Sequence, residues 1–102
     1  MTTVVAYVPD LMDRSKVAAA HPGVTFVGRP GALTEAAAGA DLVVLDLSRP
    51  GVLAVLPLAA RRTIGFASHV DTDTLDAAAA AGVEVMARSV FFRKVQELLT
   101  ES

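Results

Sequence analysis

Residues 41–51 read DLVVLDLSRPG, and the fold class turns on how this stretch is read. Leu42 to Leu45 is a continuous run of branched apolar residues with no polar alternation. A strand with one wet face alternates; an unbroken run belongs to a strand covered on both faces, as in a parallel sheet flanked by helices. Asp46 stands at the far end of the run, and the turn Arg49-Pro50-Gly51 follows. An acid at the mouth of a buried strand is either a local turn residue bonding the backbone of Ser48 or a working group at the end of the sheet.

Outward from this strand the chain alternates. Val4 to Val8 reads as a first strand stopped by Pro9 and Asp10, and LMDRSKVAAAH as a helix capped by Asp10 and stopped at Pro22-Gly23. VTFVG is a second strand, and ALTEAAAG a short helix closed by Gly39. VLAVLPLAARR is expected to be a helix bent or shortened at Pro57. TIGFAS is a fourth strand, VDTDT supplies caps for LDAAAAAG, and VEVMA is a fifth strand. Ser89 is the expected cap of the last helix, whose Phe91, Val95 and Leu98 form an apolar stripe beside Phe92 and Leu99. Five βα units imply a parallel sheet with right-handed crossovers and helices on both faces.

The totals set bounds. The 102 residues suit one domain, 1–102, and 53% hydrophobic content with a mean hydropathy of +0.50 is enough for a packed core. A formal net charge of −2 provides no basic field for nucleic acid. There is no cysteine, which removes disulfides and thiolate chemistry and fits a reducing cytoplasm. MTTVVAYVPD lacks the basic start of a signal peptide, and no apolar run approaches a membrane span. A cytoplasmic protein without nucleic-acid or membrane partners is expected.

Sheets of this kind place ligand sites at the carboxyl ends of their strands. There the chain carries Asp10, Asp46, Ser68, His69 and Arg88. Asp10 and Asp46 could together hold Mg2+, which takes few protein oxygens and keeps several waters. With Ser68 and Arg88 beside them, a phosphoryl group could sit on Asp46. Each residue also has a plainer reading: a helix cap for Asp10, an Asx turn for Asp46, local bonding for Ser68, and an ion pair with Asp46 for Arg88.

DLVVLDLSRPG resembles the third-strand motif of bacterial response-regulator receiver domains, the CheY-like family of two-component signalling, and the resemblance runs in order along the whole chain. It implies a flavodoxin-like, doubly wound five-stranded parallel sheet of order 2-1-3-4-5, with helices on both faces. Asp46 matches the phosphoacceptor. Pro9 and Asp10 match the acidic metal pair, the Ser48 carbonyl the third metal ligand, Ser68 the Thr/Ser after the fourth strand, and Arg88-Ser89 the lysine-proline pair.

The departures shift the expected function. Pro9 removes one metal ligand, so only weak Mg2+ binding is expected, with Asp10, Asp46 and Ser48 as its ligands. His69 replaces a small residue at the pocket and Val85 the switch aromatic. Arg88 replaces a lysine, and its planar fork could clamp Asp46 permanently. The resulting expectation is a degenerate pseudo-receiver, not an enzyme, that signals through a protein partner or a homodimer without normal phosphorylation of Asp46. The alternatives are a stand-alone phosphorylatable response regulator and a small-molecule-binding flavodoxin-like protein. In receivers the usual partner surface is the fourth helix, fifth strand and fifth helix, which Arg93, Lys94 and Glu97 would decorate here.

Other motifs add little. His69, Asp71 and Asp73 alternate before a helix and read as a capping run rather than a metal site. GFASH is not a nucleophile elbow, and GRPG is neither a dinucleotide fingerprint nor a P-loop. VLAVLPLAA is apolar on nearly every helical face, which suits a distorted, mostly buried segment or an exposed apolar patch that makes a dimer.

Overall fold

A computed structural model of the chain describes residues 2–100. Strands β1 (Val4–Tyr7), β2 (Thr25–Phe26), β3 (Leu42–Asp46), β4 (Thr63–Ala67) and β5 (Glu84–Ala87) form one all-parallel sheet in the order β2-β1-β3-β4-β5. Helices α1 (Leu11–Ala20), α2 (Leu33–Ala36), α3 (Thr72–Ala80) and α4 (Arg88–Thr100) flank it. This is the flavodoxin-like topology expected from the continuous apolar strands. All of β1, β3 and β4 is buried, as both faces of a central parallel strand must be.

Strand alternation divides the core into two layers. On one face Val5, Tyr7, Val43, Leu45 and Ala67 pack against Leu33 and Ala37 near α2 and Ala78 of α3. On the other, Val4, Ala6, Leu42, Val44, Ile64 and Phe66 meet Val17 of α1 and Phe91, Val95 and Leu99 of α4. The register pairs Tyr7 with Leu45 and Asp46 with Phe66. By parity Asp46 therefore belongs to the α1/α4 side, and the strand ends that surround it are those of β1 and β4. Gly39 and Gly82 take positive φ of 77° and 89° where the chain turns away after α2 and α3, a conformation that costs a glycine nothing.

Four local expectations are corrected. Residues 52–62 form no α-helix, only a 3₁₀ turn at Leu53–Val55 followed by irregular chain with a cis Leu56–Pro57 bond. Pro57 has no N–H to continue a helix. The all-round apolar pattern is used instead to press Val55, Leu56, Leu58 and Ala60 onto the core. β2 is two residues long rather than five, although the Val27 N–H still donates to the Ala6 carbonyl. Ser89 caps nothing, because α4 begins at Arg88 directly after β5. On α4 the third fully buried side chain is Leu99, and Leu98 is partly covered. Among the described residues no helix is long and apolar enough to cross a membrane.

Candidate functional site

The carboxyl ends of β1, β3, β4 and β5 bring Asp10, Asp46, Ser68 and Arg88 to one end of the sheet. Asp46 ends β3 and is nearly fully buried. Its Oδ1 accepts from the Ser48 backbone N–H at 3.1 Å and from the Ser48 hydroxyl at 2.6 Å, and its Oδ2 accepts from Arg49 Nε at 3.3 Å. This is an Asx turn closed by an ion pair to the residue three positions on. Both carboxylate oxygens are therefore satisfied within a four-residue segment.

Arg88 does not clamp Asp46. Its Nη1 donates to Asp13 Oδ2 at 2.5 Å and its Nη2 donates to Asp13 Oδ1, a fork-to-fork pair between α4 and α1. The guanidinium carbon lies 5.0 Å from the centroid of Phe92 and 5.7 Å from that of Phe66. These rings belong to one aromatic cluster, with Phe66 and Phe91 stacked at 4.8 Å and Phe91 edge-on to Phe92 at 4.9 Å. The Asp13 carboxylate beside it raises the Arg88 pKa above its ordinary value, and the charges of Asp46 and Asp10 push the same way from farther off. The expected Asp46–Arg88 pair is replaced by Asp13–Arg88 because Asp13 sits on the buried face of α1 and needs a counter-charge there.

Asp10 is the N-cap of α1, its Oδ1 accepting from the backbone N–H groups of Met12 at 2.9 Å and Asp13 at 3.0 Å. The Asp13 N–H bond is the chief cause that holds its carboxyl below the usual range, with the Met12 N–H and the Arg88 and Arg49 charges adding to it. Ser68 is exposed and its hydroxyl accepts from the Val70 N–H at 3.4 Å, a local bond. His69 is exposed, and Val85 packs half-buried against the α2/α3 layer. Asp71 caps α3 through Thr74 N–H at 3.4 Å.

Mg2+ prefers carboxylate oxygens open to the ion and its waters. Here Pro9 brings no side-chain oxygen, and Asp10 Oδ1 and both Asp46 oxygens already accept from the protein. Among the described residues no group of three or more His, Cys, Asp or Glu could hold a metal ion.

Two residues of the site escaped the sequence reading, Asp13 and Arg49. Asp13 lies four positions before Val17, the helical residue buried on the same face of α1. That spacing is the available signal: an acid in an apolar stripe requires a cation. Arg49 is three residues after Asp46, and the sequence marks it only as part of the turn. Comparison of the chain with protein-family models, curated proteins and solved structures gives no match.

Proposed function

We propose that the chain is a receiver-like signalling module that acts through protein–protein contact and does not accept a phosphoryl group on Asp46. One arrangement carries this reading: Arg88, at the position of the receiver lysine, has its fork closed on Asp13. Transfer of a phosphoryl group to a carboxylate needs an available oxygen, a cation to screen the incoming charge, and a mobile or well-placed positive group. Asp46 stands at the carboxyl end of β3, but its two oxygens accept from Ser48 and Arg49. A guanidinium in a bidentate pair beside two aromatic rings is not readily redirected, unlike a lysine ammonium on its flexible stem.

The test is incubation with acetyl phosphate and Mg2+ followed by intact-mass measurement. The mass is expected to stay that of the unmodified chain, for the wild type and for Asp46→Asn alike. A gain of one phosphate in the wild type that disappears in Asp46→Asn would overturn the proposal in favour of a phosphorylatable response regulator.

A further inference from the structure

The charges of this chain sort by face once its internal pairs are set aside. Four ion pairs, Asp13–Arg88, Asp46–Arg49, Asp41–Arg61 and Glu84–Arg62, match acid to base within the molecule. Among the described residues the other cations are Arg14, Lys16, Arg29, Arg93 and Lys94, and the other acids are Asp10, Glu35, Asp71, Asp73, Asp76 and Glu97. On the side of α1 and α4 stand Arg14, Lys16, Arg93 and Lys94 against Asp10 and Glu97. On the side of α2 and α3 stand Glu35, Asp71, Asp73 and Asp76 against Arg29, which leads the chain from β2 towards α2. One face of the molecule is therefore basic and the opposite face acidic.

Helix dipoles do not alter this sorting. All four helices start at the carboxyl end of the sheet, and each returns at its C-terminus the partial charge it adds at its N-terminus. Most of these groups are fully in reach of a partner: Arg14, Lys16, Arg93 and Lys94 are exposed on one face, and Glu35, Asp73 and Asp76 on the other. Along α3, Asp73, Asp76, Ala77 and Ala80 are exposed at i, i+3, i+4 and i+7, and along α1, Met12, Ser15, Lys16 and Ala19 are exposed at the same spacing. Each row runs along one side of its helix, away from the buried Ala78 and Val17. Alanine and serine in these rows leave room for two helices to approach closely between the charged groups.

We infer that the α2/α3 face of one copy of this chain docks on the α1/α4 face of a second copy, with Asp73 and Asp76 of α3 set against Arg14 and Lys16 of α1. The inference rests on the reading of the chain as an interaction module and makes a second copy its partner. Charge complementarity selects that occupant: the chain carries both signs on opposite faces, so each copy supplies the surface its neighbour needs. It also selects the geometry. A two-fold contact through either face would set like charge on like charge, whereas head-to-tail stacking sets opposite signs together. Stacking leaves one open face of each sign at its ends, so the assembly grows with concentration rather than stopping at two copies. Exposed ion pairs contribute little singly and are screened by salt, so the contact is weak and sensitive to ionic strength.

The test is sedimentation velocity of the full chain over a range of concentrations, at ionic strengths of about 0.02 M and about 0.5 M. At low salt the average mass is expected to rise with concentration above the 10.6 kDa of one chain, and at high salt to return to it. Two variants test the pairing: Asp73→Asn with Asp76→Lys, and Arg14→Glu with Lys16→Glu. Each alone is expected to weaken association on the order of tenfold. An equimolar mixture of the two is expected to recover it, because the unaltered α1 of the first meets the unaltered α3 of the second. Arg14 and Lys16 lie over the rings of Phe26 and Phe92, so the melting temperature is measured alongside. If that variant loses its fold, Arg93→Glu with Lys94→Glu on the same face takes its place. A mass that stays at one chain throughout, a plateau at two copies, or association that survives high salt would each overturn the proposal. So would variants that associate like the wild type, or folded variants whose mixture stays monomeric. Self-association and phosphate uptake are read by different signals, so a failure here is distinct from a failure of the module reading.

Discussion

The Asp13–Arg88 pair should respond very differently to loss of its two members. The Asp13 side chain is 1% exposed, whereas that of Arg88 is 47% exposed. Removing the cation leaves a carboxylate enclosed by α1, α4 and the aromatic cluster with both oxygens stripped of their donors. Breaking a buried pair from one side costs about 3–5 kcal/mol. Arg88→Met keeps an apolar side chain at this position beside the rings that the guanidinium now meets, so the loss should fall near the lower end, about 3 kcal/mol. Asp13→Asn is milder: the half-exposed guanidinium can turn to water, and the amide oxygen still accepts one bond. About 1 kcal/mol is expected, the scale of one net hydrogen bond. Urea unfolding followed by circular dichroism gives both values from the shift in midpoint at constant slope. A chain of this size commonly has 5–15 kcal/mol of stability, so both variants remain foldable. The double variant should cost less than the two losses together, because the partners are in direct contact. The reasoning is refuted if Asp13→Asn is the more damaging change, or if Arg88→Met stays within about 0.5 kcal/mol of the wild type, the range of an ordinary surface substitution.

Two further outcomes follow from the packing and charges elsewhere. A Cβ on Gly65 would stand 2.7 Å from Cγ and Cδ1 of the buried Leu47, so Gly65→Ala should destabilise by about 1–3 kcal/mol. Most of that loss should vanish in a Leu47→Ala background, and additive losses in a double-mutant cycle would show that the crowding lies elsewhere. At the other end of the sheet, Arg62 bonds Glu84 through Nε at 2.5 Å and Nη2 at 3.0 Å and holds its carboxyl below the ordinary 4.5. A depressed folded value means that the stabilisation is present above the ordinary value and lost as pH falls through the folded one. Both side chains are partly exposed, which limits it to about 0.5 kcal/mol. The stability difference between wild type and Glu84→Gln should therefore be constant near neutrality and close below about pH 4; a gap that persists in acid would assign it to packing.

The sheet was legible because its signal is redundant. Leu42 to Leu45 is apolar on both faces, Gly39 and Gly82 mark where helices end, and Asp10 and Asp71 mark where they begin; each agrees with the others about a parallel, two-layered fold. Residues 52–62 were not legible for a physical reason. An all-round apolar segment satisfies helix and irregular chain equally, and Pro57 decides only what cannot form. At the site, position was readable and pairing was not. Strand ends fix where Asp46 and Arg88 emerge, yet the choice of partner depends on which acid is buried on the neighbouring helix. The two residues missed, Asp13 and Arg49, are both acid–base partners rather than strand-end groups, and Asp13 was visible only as an acid sharing a helical face with Val17.

That choice of partner also explains why position 88 holds an arginine. Asp13 presents two buried oxygens in one plane, and the guanidinium is the side chain whose paired N–H groups can meet both while its face lies beside Phe92. A lysine ammonium is a single strongly hydrated point. It would leave one oxygen of Asp13 poorly satisfied, gain less from the rings, and remain drawn toward Asp46 and Asp10, whose charges already reach this position. The arginine is therefore a brace between α1 and α4. Asp46, with its counter-charge supplied locally by Arg49, no longer depends on it. The two carboxylates have in effect divided the positive charge at this end of the sheet, Asp13 holding Arg88 and Asp46 holding Arg49 within a turn.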